Sequence, residues 1–275
     1  MALVSAVVTA EPTPPGIARR LASAIVPDAG KRAIDRVRMR GFMAIIAPAN
    51  AEYIRRYGLE VKRGPFEGMR YLDGIERTSD NLIAKLAGTY ERELYPALGE
   101  WLSEPPSLIA NVGCAEGYYA VGLARALAQT TVIAYDISAD ARAQCAEMAR
   151  MNDVAERVRI EGECSPGTLT ALPPTGVALL CDCEGYEKTL LDPQAAPVLR
   201  GWRIIVELHD FLDPTITDTI LARFADSHEV ELIKSLPPDT AQEPEFEFMT
   251  PRQRRAVLTE RPVAMNWACM RPRES

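Results

Sequence analysis

The pattern of apolar and polar positions changes at Ser107. Beyond it, apolar runs of strand length alternate with segments whose apolar residues recur at helical spacing. The predicted strands are Ser107–Val112, Val132–Ile137, Val158–Glu163, Val177–Cys183, Arg203–His209, Glu229–Lys234 and Met265–Met270. Strands that alternate with helices are typical of right-handed crossovers and a parallel sheet. Only a short helical pattern separates the last two strands, which predicts a closing antiparallel pair.

Helical spacing predicts a second set of elements. In the downstream part they are Tyr118–Gln129, Ala139–Met151, a segment that begins at Tyr186, Ile216–Ala225 and a short one at Pro251–Leu258. Upstream, the spacing predicts one helix over 81–102, and a Gly-rich stretch at 64–75 predicts a turn with a short strand or hairpin. The chain therefore divides into a helical lead-in region, 1–106, and an α/β domain, 107–275.

Composition narrows the class of protein. The chain has 275 residues, 47% of them hydrophobic, which excludes a disordered protein. A net charge of −7 argues against a general nucleic-acid binder. Residues 1–63 nevertheless hold eleven Lys/Arg and only five Asp/Glu. This basic segment predicts a solvated helix that caps the substrate side of the sheet, and RNA contact is the less favoured interpretation.

Localisation follows from two further features. No apolar run approaches the roughly 18 residues of a membrane helix. The six cysteines include no C-x-x-C motif and are too few for a disulfide scaffold. We therefore expect a cytoplasmic chain with no membrane partner, and the oligomeric state stays open.

The most specific motif is a glycine loop, NVGCAEGY, at Asn111–Tyr118. It follows a predicted strand and opens a predicted helix, and Gly113 and Gly117 allow a tight turn and close approach of a ligand. Its G-x-x-x-G spacing differs from the G-x-G-x-x-G that holds a pyrophosphate, so a dehydrogenase is disfavoured. Glu116 inside the loop would repel phosphates and suits a cationic or amine-bearing ligand.

Asp136 stands near the end of the second predicted strand, where an acidic side chain accepts hydrogen bonds from ribose hydroxyls. The loop and Asp136 together suit a nucleoside that carries positive charge and no phosphate. S-adenosylmethionine (SAM) is such a ligand. The plain alternative is a Gly-rich turn beside a surface aspartate.

From Ser107 to about Pro272 the chain resembles class I SAM-dependent methyltransferases, and more narrowly their FkbM type. In that type the fourth strand ends in D-x-E-G-[YF]-E, here DCEGYE at 182–187, and the fifth ends in E-x-H, here ELH at 207–209. GPFEGMRY (64–71) and KLAGTYEREL (85–94) also look like the lead-in of some bacterial relatives. The resemblance implies a Rossmann-like class I methyltransferase sheet and O-methylation of a sugar or secondary metabolite.

The predicted cofactor-binding residues are Asn111, Gly113, Glu116, Gly117, Asp136 and Glu163. Two interpretations of Glu163 stay open, an acceptor for the adenine amine and a solvated strand end. The sequence departs from the family at Ala115, where many methyltransferases have glycine, which puts the cofactor affinity in question.

The predicted catalytic residues are Asp182 and His209, because the carboxyl ends of parallel strands meet at one edge. An imidazole suits a base for a hydroxyl acceptor near neutral pH. A structural role for His209 stays open, and Asp182 orients His209, takes the proton or binds the substrate. A divalent metal on Asp182, His209 and Asp210 is possible but not favoured. His228, the other histidine, is expected to have no role.

Two alternative functions remain. One is an N-methyltransferase, although the chain lacks the [DN]-P-P-[YFW] motif of adenine and glutamine methylation after the fourth strand. The other is a module that holds SAM without catalysis. We expect a small-molecule or sugar substrate, and a nucleic-acid partner is disfavoured.

Overall fold

The computed structural model describes residues 28–75, 81–236, 244–260 and 265–273, and for residues 28–39 it describes the backbone alone. Residues 1–27, which belong to the basic segment, and residues 76–80, 237–243, 261–264 and 274–275 lie outside these ranges. Within them, no helix combines the length and apolar character needed to cross a bilayer.

The seven strands of the described residues form one sheet. They are β1 Leu108–Val112, β2 Thr131–Tyr135, β3 Val158–Glu161, β4 Val177–Cys181, β5 Arg203–Leu208, β6 His228–Lys234 and β7 Asn266–Pro272. Their order is β3-β2-β1-β4-β5-β7-β6, and β7 alone runs opposite to the other six strands. This sheet confirms the predicted Rossmann-like α/β architecture, mostly parallel with a closing antiparallel strand.

The register of β1 places the glycine loop at the topological switch point of the sheet. Asn111, near the end of β1, lies opposite Ala134 of β2 and Leu180 of β4. The connections on the two sides of β1 lie on opposite faces of the sheet, which leaves a crevice beside the end of β1. Open α/β sheets bind ligands in such a crevice.

The α-helices are α1 Asp28–Tyr57, α2 Leu82–Ala87, α3 Tyr95–Ser103, α4 Tyr118–Ala126, α5 Ala139–Met151, α6 Pro166–Thr170, α7 Glu187–Leu190, α8 Ile216–Phe224 and α9 Pro251–Leu258. The predicted continuous helix over 81–102 was wrong. Gly88 ends α2 in the left-handed region, at φ +70°, and a Cβ there would lie 2.0 Å from the Arg63 carbonyl oxygen. The predicted turn with a short strand or hairpin at 64–75 is a turn closed by one antiparallel bridge between Glu60 and Arg70.

Alternate residues of β1, β2, β4, β5 and β7 pack into two apolar clusters on opposite faces of the sheet. Ile109 and Ile205 face the larger cluster, which also contains Tyr53 of α1 and Trp101 of α3. The second cluster packs α8 against the other face. The lead-in region thus contributes directly to the main core, and its division from the domain at 106/107 stays a prediction.

Gly122 of α4 marks the closest contact between this helix and the lead-in region. A Cβ there would lie 2.5 Å from Cγ of Phe66, whose ring is buried. We expect Gly122→Ala to lower the free energy of unfolding by about 1–3 kcal/mol through overpacking. Gly99→Ala in α3, with no atom within 4 Å of the added Cβ, should be neutral or stabilising by up to about 1 kcal/mol. Equal urea midpoints for the two variants would contradict this packing.

Candidate functional site

The glycine loop is tied to the ends of both neighbouring strands. Gly113 has a φ of +79°, and a Cβ there would lie 1.7 Å from the Asp182 carbonyl oxygen. The amides of Gly113 and Cys114 both donate to the Tyr135 carbonyl, at 2.9 and 3.0 Å. Glycine is therefore required at 113, because the loop passes directly over the end of β4.

Asp136 fixes the loop from the β2 side. Its Oδ2 accepts a hydrogen bond from the Ala115 amide at 3.0 Å, and its Oδ1 accepts one from the Ser138 amide at 2.8 Å. A carboxylate offers about four acceptor positions, so two remain for a ligand. Ala115 itself has a φ of +46°, which costs a non-glycine residue about 1–2 kcal/mol. Ala115 thus stands in a conformation that glycine adopts without this cost.

Ile137 is a feature of this site that the sequence analysis missed. It follows Asp136 directly and is 83% exposed, the most exposed of the large apolar side chains described. An apolar surface beside the carboxylate that is predicted to bind ribose suits a planar base. Glu163 is exposed beyond the end of β3, the strand next to β2, and its contact with adenine stays a prediction.

Two other predicted cofactor residues are buried. Asn111 is almost fully enclosed, and its Oδ1 has no hydrogen-bond partner among the described residues. Gly117 precedes α4 with a φ of +100°, and a Cβ there would lie 2.9 Å from Sγ of Cys145 in α5. Glycine therefore lets α4 begin close against α5.

Glu116 has a partner inside the chain. Its Oε1 lies 2.5 Å from Nζ of Lys85 and accepts a hydrogen bond from the Tyr71 hydroxyl at 3.2 Å. Both charged side chains are only 10% exposed, and burial raises the pKa of Glu116, but the Lys85 charge lowers it below its ordinary value overall. Lys85 thus neutralises the charge that we expected to face a cationic ligand. A direct role for Glu116 in cofactor binding stays a prediction.

The predicted meeting of Asp182 and His209 is observed. Nε2 of His209 lies 3.5 Å from Oδ1 of Asp182, because β4 and β5 are paired in parallel. The same nitrogen lies 3.5 Å from Oε2 of Glu207 and 3.7 Å from Oε2 of Glu184. His209 is 1% exposed, so one buried imidazole nitrogen faces three carboxylates.

Glu187, which the sequence analysis assigned no role, orients this imidazole. It is fully buried at the start of α7, and its Oε1 lies 2.7 Å from Nδ1 of His209. An ionised carboxylate only accepts hydrogen bonds, so Nδ1 carries the hydrogen. Nε2 therefore faces the mouth of the site, which is the edge of the sheet where β4 and β5 end. The available signal was its position as the last residue of the DCEGYE string.

The pKa values of Asp182 and His209 are both shifted from their ordinary values. Burial, followed by the charge of Glu207, raises the pKa of Asp182 well above its usual range. Burial lowers the pKa of His209, but its hydrogen bond to Glu187 and the nearby carboxylates raise it above 6.5 overall. A carboxylate whose pKa is raised is a stronger proton acceptor than a solvated one, and such shifts are typical of catalytic sites.

Asp210 does not join this group, so its inclusion in the possible metal set was wrong. Its carboxylate accepts hydrogen bonds from the amide and hydroxyl of Thr217 in α8. Glu207 takes its place beside Asp182 and His209. His228 lies at the start of β6, and its Nε2 is 2.9 Å from the Trp202 carbonyl oxygen.

The chain has no significant match among models of protein families or among curated protein sequences. It is similar to cofactor-bound Rv0187 from MTB, with 16% identity and a TM-score of 0.48, over 97% of this chain and 100% of that one. The O-methyltransferase TomG of Streptomyces achromogenes, in complex with SAM, gives 13% and 0.44 over 82% and 88%. A SAM-dependent O-methyltransferase of Thermotoga maritima gives 17% and 0.43 over 63% of each chain. Because the sequence identities and TM-scores are low, the function rests on the chemistry of the site itself.

Proposed function

We propose that this chain is a SAM-dependent methyltransferase of class I, which methylates a hydroxyl of a sugar or another small molecule. The observation that carries the proposal is the double contact of Asp182. Its carbonyl oxygen lies against Gly113 of the glycine loop, and its carboxylate lies against His209. A nucleoside site and an acid–base group therefore share one strand end.

The cofactor assignment is supported by the chemistry of the loop. Asp136 keeps acceptor positions for ribose hydroxyls, and the exposed Ile137 offers a surface for adenine. Lys85 is paired with Glu116, so it does not supply the positive charge that phosphates require. The residues proposed to bind SAM are Asn111, Gly113, Glu116, Gly117, Asp136 and Glu163.

The proposed reaction is an in-line displacement at a methyl carbon. When bound, SAM supplies an electrophilic methyl group on its sulfonium. Transfer to an acceptor hydroxyl would form an oxygen–carbon bond, break the carbon–sulfur bond and release the hydroxyl proton. Asp182 and His209 form the acid–base group that would bind the hydroxyl and accept this proton. Glu187 holds the imidazole in the orientation that this requires.

The finer assignment to the FkbM type is part of the proposal. It is supported by the contacts that the DCEGYE and ELH strings make with each other at adjacent strand ends. We also propose that the lead-in region, 1–106, forms part of the substrate side. The charge of Glu91, which contributes to the raised pKa of Asp182, supports this placement.

Calorimetry tests the cofactor assignment. In buffer with EDTA, the chain should bind SAM or its demethylated product, and NAD much more weakly. Asp136→Ala should weaken SAM binding by about 1.5–3 kcal/mol, because the ribose hydroxyls lose a charged acceptor. Asp140→Ala, an exposed change in the first turn of α5, should leave the affinity unchanged. NAD binding equal to or tighter than that of SAM would reject the assignment.

A further inference from the structure

We propose that Cys181 and Cys183 form a reversible disulfide that switches off the acid–base group. The two thiols flank Asp182, which lies between them in the sequence. The loss of turnover on oxidation rests on the proposed function, whereas the formation of the disulfide does not. Neither cysteine is among the residues assigned to the cofactor or to the acceptor.

The two sulfur atoms are already close together. Sγ of Cys181 lies 3.4 Å from Sγ of Cys183, and a disulfide bond measures about 2.05 Å, so the atoms need to approach by only about 1.4 Å. Two steps along an extended chain span about 6.6 Å. Disulfides allow roughly 4.4–6.8 Å between Cα atoms. The pair can therefore close at the long end of this range, or more easily if the chain shortens at Asp182.

This shortening falls on Asp182 and Cys183. Cys181 is the last residue of β4, where it is fully buried and is paired with Val112 of β1 and Val206 of β5. Cys183 lies beyond the end of the strand and is partly exposed. Because strand pairing holds Cys181 in place, closure of the disulfide draws in the two residues that follow it.

Oxidation reaches the acid–base group in two ways. The thiols lie on one side of the chain, and the Asp182 carboxylate faces His209 on the other. Drawing in Asp182 moves this carboxylate and strains the hydrogen bond of 2.9 Å from its amide to the Val112 carbonyl. Sγ of Cys183 also donates, at 3.7 Å, to the same Oε1 of Glu187 that holds Nδ1 of His209. A disulfide has no hydrogen, so Glu187 loses this donor.

A small disulfide such as oxidised glutathione is the oxidant. The partly exposed Cys183 attacks one of its sulfur atoms as a thiolate, forms a mixed disulfide and releases one small thiol. Cys181 then attacks Sγ of Cys183 and releases the second small thiol. The protons of the two cysteines end on the two released thiols. Two protein thiols are thus oxidised to one disulfide, and one small disulfide is reduced to two thiols.

Incubation of the full chain with mixtures of oxidised and reduced glutathione tests the proposal. We expect differential alkylation and mass spectrometry to find one disulfide, between Cys181 and Cys183, that dithiothreitol reverses. The amide hydrogen of Asp182 should then exchange faster with solvent, because its hydrogen bond is strained. Turnover with labelled SAM should fall about 100-fold, the cost of misplacing a reacting group by about 1 Å.

Matched variants assign the effect to this pair. In the oxidised mixture, Cys183→Ala should keep the turnover that it has in the reduced mixture, and so should Cys181→Ala. Cys269→Ala, which removes a buried thiol from β7, should be inhibited as the unmodified chain is. Thermal melting shows which variants fold, and Cys183→Ala, which changes a partly exposed side chain, decides the matter if Cys181→Ala does not fold.

Three results would overturn the inference. They are the absence of a disulfide between Cys181 and Cys183, a disulfide there that leaves turnover unchanged, and equal inhibition of Cys183→Ala. The readouts also separate this inference from the proposed function. The disulfide with faster exchange at Asp182, in a chain whose reduced form transfers no methyl group, rejects the methyltransferase alone. Methyl transfer by a chain that does not form the disulfide rejects the switch alone.

Discussion

His209→Ala and Asp182→Ala should each lower turnover about 10²–10⁴-fold, the usual contribution of a group that moves a proton in the transition state. Both side chains lie at the mouth formed by β4 and β5, and Asp182 also adjoins the cofactor loop through its carbonyl. Neither side chain is among the predicted cofactor-binding residues, so SAM affinity should stay nearly intact. Product formation with labelled SAM and calorimetry on the same samples check both expectations.

The other histidine provides a matched control. His228 is equally buried, and its ring contacts Ser227 and the Trp202 carbonyl. His228→Ala should lower the melting temperature and spare turnover per folded molecule. The same pattern in His209→Ala would show that His209 is a structural residue and would contradict its catalytic assignment.

The same measurements separate a hydroxyl acceptor from an amine. A nucleophilic amine needs less help from a base, and the carboxylates around His209 would also attract a cationic substrate. Unchanged turnover in both His209→Ala and Asp182→Ala would therefore favour N-methylation and reject the hydroxyl. A large loss in both supports the hydroxyl.

Lys85→Met should lower the free energy of unfolding by about 3–5 kcal/mol, the usual cost of a buried charge that loses its partner. Lys85 and Glu116 form a pair whose side chains are both about nine-tenths buried. The methionine would leave the Glu116 carboxylate enclosed with only the Tyr71 hydroxyl as a described side-chain donor. Urea unfolding measures the loss.

Two further variants test the cause. Adding Glu116→Gln to Lys85→Met should recover much of the stability, because the unpaired charge is removed with its partner. Lys188→Met breaks the pair with Asp213, whose Nζ–Oδ2 distance of 2.7 Å is similar but whose side chains are 33% and 42% exposed. It should cost at most about 1 kcal/mol. An equal cost for the two lysine changes would contradict the burial argument.

The sequence by itself determined the sheet and the place of the site. Alternating apolar runs predict β1 to β7 to within about two residues, because strand periodicity is a local property of the chain. The loop at 111–118 and Asp136 were located for the same reason, since their spacing from the strands is short. Asp182 and His209 were predicted to meet because parallel strands end at one edge.

The tertiary structure alone decided the contacts across long sequence separations. The Arg63 carbonyl fixes the break at Gly88, and Lys85 neutralises Glu116 from 31 residues away. Side chains two apart on a strand point the same way, so Glu207 faces the mouth with His209, whereas Asp210 turns to α8. Local pattern fixes which residues reach the mouth, but the packing of neighbouring elements fixes which atoms meet there.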